Sequence, residues 1–263
     1  MSTTRTRTGL LLIAWACGAP IAAAQERPFL FSVATTTDRQ QPGLHVEYDV
    51  GAGERAFQSS ANQPEQRIAL QAAWRRLTMI GRVGMVHEGS AYQSSQSGEL
   101  LMSLLGPAVR TSLALGGGVL HEGGGTNVLQ ARLVGGQERE RWRLLGNLLL
   151  QKPLSGERDA VDLITTIGWA RKFASGLALG VEAVGEDLEG FWDPLEAEGG
   201  ARILVGPSIH YSPAARKWRL TMAGGPSFHP SDTGRSSEAL RELPPTTRKV
   251  GYAVKAGLTY RFF

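Results

Sequence analysis

In the stretch KVGYAVKAGLTYRFF, Lys249 to Phe263, every second residue from Val250 to Phe262 is apolar or small. Lys249, Gly251, Ala253, Lys255, Gly257, Thr259 and Arg261 fill the places between. A period of two puts alternate side chains on opposite faces of a strand. Strands of soluble proteins are usually about five or six residues long, and this one is much longer. About nine to eleven residues of tilted strand cross a bilayer, so the stretch predicts a membrane-spanning strand closed by aromatic residues.

Segments of the same kind recur upstream. Leu44 to Val50, Ile68 to Trp74, Leu77 to Met85, Leu100 to Leu104 and Val109 to Val119 alternate, as do Leu129 to Leu133 and Trp142 to Leu150. Val161 to Trp169, Leu177 to Ala183, Ile203 to Tyr211 and Trp218 to Met222 complete the set. Turns are expected near Arg75, at Gly106-Pro107, at Gly135-Gly136, at Ala174 to Gly176 and at Ser212 to Arg216. Loops are expected at 51–65, 88–97, Gly123 to Gly125, 152–159, 186–200 and 230–247. Short and long connections taking turns is the rhythm of an up-and-down barrel with both termini on one side. The fold class predicted is all-β: a transmembrane antiparallel barrel of about twelve strands.

The chain has 263 residues and a net charge of +4. It contains no apolar run long enough for a transmembrane helix, which needs about 18 residues. Residues 1–24 read as a cleaved secretory signal: Arg5 and Arg7 precede the apolar run Leu10 to Trp15, and Ala22 to Ala24 supply small residues before Gln25. Residues 25–42 read as a periplasmic lead-in or plug, and 43–263 as the barrel. The single cysteine, Cys17, falls within the signal, so the mature barrel would have no disulfide. An exported chain without a basic run is a poor match for nucleic acid.

The small residues Ala22 to Ala24 and the closing Val254, Ala256, Leu258, Tyr260 and Phe262 resemble those of bacterial outer-membrane β-barrel proteins as a broad class. That resemblance implies an outer-membrane location. It also implies that Val254, Ala256, Leu258, Tyr260, Phe262 and Phe263 form the signal read by the barrel-insertion machinery.

If the apolar face meets lipid, the other face lines the lumen. A lipid-facing Arg or Lys near the midplane costs about 2 to 4 kcal/mol, so the charged alternate positions belong inside or at the rims. They are mixed in sign with an arginine excess. Arg67, Arg75, Arg82, Arg110, Arg132, Arg143 and Arg219 are expected to line a path favouring small anionic solutes. Paired with Asp and Glu, the same residues could instead fill a closed lumen, leaving function to the external loops.

Signs of enzymatic chemistry are sparse. His210 and Ser212, two apart on a strand, would share a side as in a His-x-Ser hydrolase pair, which makes a lipid-modifying enzyme the third reading. The acidic loop 186–200 lacks the EF-hand spacing, the histidines lack zinc spacing, and no GK[ST] follows Gly116-Gly117-Gly118 or Gly123-Gly124-Gly125. No catalytic residue, metal or cofactor is assigned. The expectation is a passive channel or transport-related barrel in outer-membrane lipid, and not an enzyme.

Overall fold

A computed structural model describes residues 43–53, 64–88, 91–105, 111–122, 125–154, 161–186, 188, 201–213, 216–228 and 250–262. The signal, the lead-in, Arg110, Phe263, residues 189–200 of the acidic loop and the Gly106-Pro107 turn lie outside the described residues.

Twelve strands form one closed antiparallel barrel in which each strand pairs with its sequence neighbours. In order they are β1 (Gly43–Gly53), β2 (Glu65–Trp74), β3 (Leu77–Glu88), β4 (Ala91–Ser103), β5 (Thr111–His121) and β6 (Asn127–Glu138). They continue as β7 (Trp142–Pro153), β8 (Asp162–Ala174), β9 (Leu177–Glu186), β10 (Arg202–Tyr211), β11 (Trp218–Phe228) and β12 (Val250–Arg261). β12 closes the ring on β1, with Val46 opposite Tyr260 and Val50 opposite Ala256. Closure leaves no strand edge to aggregate.

Burial is inverted relative to a soluble protein. Ile68, Met79, Leu148, Ile167, Val181 and Met222 are exposed outward, while Glu47, Asp49, Glu99, Glu182 and Lys255 are buried inward. Only a hydrocarbon solvent makes that arrangement favourable, since a buried charge needs partners and an apolar side chain does not. Apolar packing is not confined to the lipid side: Ala114, Val134, Leu145 and Ala170 form a buried cluster facing inward from β5 to β8.

Several strands run further than the sequence reading has them: β1 extends to Gly53, β2 begins at Glu65, and β7 and β9 extend to Pro153 and Glu186. The polar stretch from Ala91 to Ser97 belongs to β4 and is not loop, because a strand running past the hydrocarbon into water needs no apolar face there. Gly135 and Gly136 lie within β6, opposite Gly146 and Leu145, and the turn falls at 139–141. The turn expected near Arg75 is present and consists only of Arg75-Arg76, since Trp74 pairs directly with Leu77. Arg75 takes a φ of 54° there without being glycine.

Candidate functional site: the charged lumen wall

Glu99 on β4 points inward and meets two arginines. Arg132 Nη2 is 2.7 Å from Glu99 Oε1 and Arg132 Nε is 3.2 Å from Oε2, a two-pronged pair. From the other side, Arg82 Nη1 lies 3.2 Å from Glu99 Oε1. Arg82 and Glu99 sit on adjacent strands, but Arg132 is on β6 and must reach past β5. Two strand spacings amount to roughly 9.5 Å, within reach of a long side chain only if the strand between is bare. Gly116 and Gly118 provide that bareness. A Cβ on Gly118 would lie 2.8 Å from Glu99 Cγ, and one on Gly116 would lie 2.4 Å from Leu101 Cδ2.

A second charged group spans β12, β1 and β2. Asp49 stands opposite Arg67 in register, and Arg67 Nε donates to Asp49 Oδ2 at 3.1 Å. Glu47 Oε1 is 3.7 Å from the same guanidinium. Lys255 lies within electrostatic reach of Arg67, Asp49, Glu65 and, on β9, Glu182. Glu182 faces Gly206 across the β9–β10 pair, and Gly225 and Ala253, a β11–β12 pair, are small residues further round the wall. A Cβ on Gly206 would approach Gly224 O to 1.9 Å and Gly225 Cα to 2.7 Å, so only glycine fits against the neighbouring backbone here. Nearer the long-loop rim, Glu186 pairs in register with Arg202, and Asp162 with Gln151.

The structure places Arg67, Arg82, Arg132 and Arg219 on the inner wall, the last buried at 8% exposure. Arg143 is inward at the short-turn end, where its Nη2 donates to Glu138 Oε1 at 3.0 Å. Arg75 does not line the lumen. It is in the two-residue turn, with its guanidinium 4.9 Å from the centre of the outward-facing Trp74 ring. The arginine excess also shrinks, because Glu65 and Glu186 are buried inward alongside Glu47, Asp49, Glu99, Asp162 and Glu182. Sequence reading assigned Glu65 and Glu186 to loops. Their parity with Arg67 and Glu182 was the available signal.

Val254, Leu258, Tyr260 and Phe262 are exposed outward, and Ala256 shares their side of β12. Tyr260 and Phe262 stack edge to face at 5.1 Å, and Phe262 N donates to Leu44 O at 3.0 Å, extending the seam. The hydroxyl found beside His210 is that of Ser208, 3.0 Å from Nε2.

No known family matches the sequence, and no curated protein matches it. Among solved structures the barrel is similar to the KdgM porin, with a TM-score of 0.56 at 10% identity over 83% of this chain and 99% of that one. It is also similar to the NanC porin, with a TM-score of 0.55 at 7% identity over 82% of this chain and 98% of that one. At such identities the likeness is one of fold. Closed twelve-strand topology, an apolar outer face and a charged inner wall define the class: a bacterial outer-membrane β-barrel.

Proposed function

We propose that the barrel is a passive channel for small polar solutes, with a preference for anions along the wall formed by β3 to β6. The observation that carries this reading is the unequal triad in which Arg82 and Arg132 share the single carboxylate of Glu99. Within this triad two guanidinium groups face one carboxylate in a low-dielectric wall, a balance that favours a higher local concentration of anions. On the same side, Arg82, Gly84, Ser95, Ser97 and Leu120 remain partly accessible, unlike Asp49 or Glu182, which are fully covered. The fold shared with two porins agrees with a channel. Swelling of liposomes containing the refolded barrel tests the proposal. A small sugar acid should enter faster than its neutral sugar, and equal or absent entry would contradict it.

A closed barrel acting through its external loops is the second reading. It is favoured by the complete burial of Asp49, Gln151 and Glu182 and by the inward apolar cluster around Val134. In that case neither solute would enter. Lipid hydrolysis through His210 and Ser212 has less support, since Ser212 follows the end of β10 and its backbone N–H is bonded to Gly176 O in the neighbouring turn. Recognition of the β12 residues 254–262 by the insertion machinery is part of the same proposal and rests on their outward row.

A further inference from the structure

Among the described residues, the rim of short turns is strongly basic. Arg75, Arg76, Arg141, Arg171, Arg216 and Lys217 are all exposed on it. Among the described residues of this rim the carboxylates are Glu138 and Glu140, and Glu138 is already met by Arg143 at 3.0 Å and by Lys172 at 3.9 Å. Among the described residues of the opposite rim both signs occur, with Glu122 and Lys152 at the surface and Glu186 and Arg202 buried inward. The cations are also placed at a definite depth. Arg75 lies over Trp74 and Arg171 lies 5.8 Å from the centre of the Phe173 ring. Those two rings are among the most exposed apolar groups, at 57% and 62%. Nearby, Tyr211 and Trp218 stack at 5.8 Å and continue the aromatic girdle.

Aromatic girdles mark the boundary between hydrocarbon and headgroups. Cations directly beyond such a girdle stand at the level of lipid phosphates, and the guanidinium fork matches a phosphate with two parallel hydrogen bonds. We propose that this rim binds the phosphates of anionic phospholipids in the leaflet it touches, so that the barrel carries an annulus of such lipid at its short-turn end. A rim merely made soluble by charge would need neither the one-sided sign nor guanidinium groups laid on lipid-facing rings. An acidic protein partner would meet the turn tips alone, whereas Arg75 and Arg171 are held against the lipid side.

The test is native mass spectrometry of the refolded barrel taken from mixed micelles holding equal amounts of phosphatidylglycerol and phosphatidylcholine. Wild type should retain phosphatidylglycerol preferentially, and high salt should abolish the preference. R75Q/R76Q and R141Q/R171Q should each weaken retention by about tenfold or more, while K152Q on the opposite rim should leave it unchanged. The heat-dependent shift in gel mobility reports that each variant has folded. Should a double variant not fold, the wild-type comparison across salt and the single variant R171Q are read in the same way. Equal retention of the two lipids by wild type, insensitivity to salt, or full retention in folded variants would overturn the proposal.

Discussion

Arg132 on β6 grips Glu99 on β4 across the full width of β5, with contacts of 2.7 and 3.2 Å. The pair joins strands that share no backbone hydrogen bonds, and it depends on the inward glycines of β5 between them. Buried charges of this kind are costly to leave alone, whatever their net worth as a pair.

Glu99→Gln therefore removes the shared carboxylate and leaves two guanidinium groups facing each other. Loss of one partner from a buried pair costs about 3 to 5 kcal/mol, read as a lower urea midpoint for unfolding from vesicles. The same variant should become more selective for anions, a change that simple destabilisation does not produce.

Gly118 and Gly81 provide a matched comparison. A Cβ on Gly118 would meet Gly98 O at 2.2 Å and Glu99 Cα at 2.9 Å, whereas one on Gly81 meets nothing within 4 Å. Gly118→Ala should cost about 1 to 3 kcal/mol through overpacking, and Gly81→Ala should be close to neutral. Urea titration of the two proteins side by side measures the difference.

Leu148 and Leu149 are adjacent on β7 but face opposite solvents, at 45% and 2% exposure. Placing Arg at Leu148 puts a charge into hydrocarbon near the middle of the strand and should cost about 2 to 4 kcal/mol in vesicles. A Leu148→Arg variant as stable as wild type would mean that this face does not meet lipid.

The outward aromatic pair at the end of β12 should matter more for assembly than for final stability. Phe262→Ser should slow insertion by the barrel-assembly machinery several-fold, while the protein refolds normally from urea into detergent. Pulse labelling with a heat-modifiability readout follows the first, and spectroscopy the second.

Much of the barrel is legible in the alternation of residues, because lipid and lumen demand opposite side chains at every step. The closing strand, its partner β1 and the short-long rhythm follow from that demand. The beginning of β4 does not, since beyond the hydrocarbon both faces are free to be polar and Ala91 to Ser97 carry no period to read. Face is also easier to read than partnership. Parity puts Arg132 and Glu99 inside, but only the stagger of the strands and the bare inner face of Gly116 and Gly118 bring them together. The sequence reading also counts Arg75 among the lumen-lining arginines although a turn is expected there: a side chain in a two-residue turn is not bound by the alternation of the strands, and this one lies over the outward Trp74 ring.

The channel proposal is tested most directly by the reversal potential of single barrels in a planar bilayer under a potassium chloride gradient. Discrete conductance steps are expected, with a reversal potential on the chloride side that shifts further toward chloride in Glu99→Gln. Absence of steps, or a reversal potential on the potassium side, would contradict it.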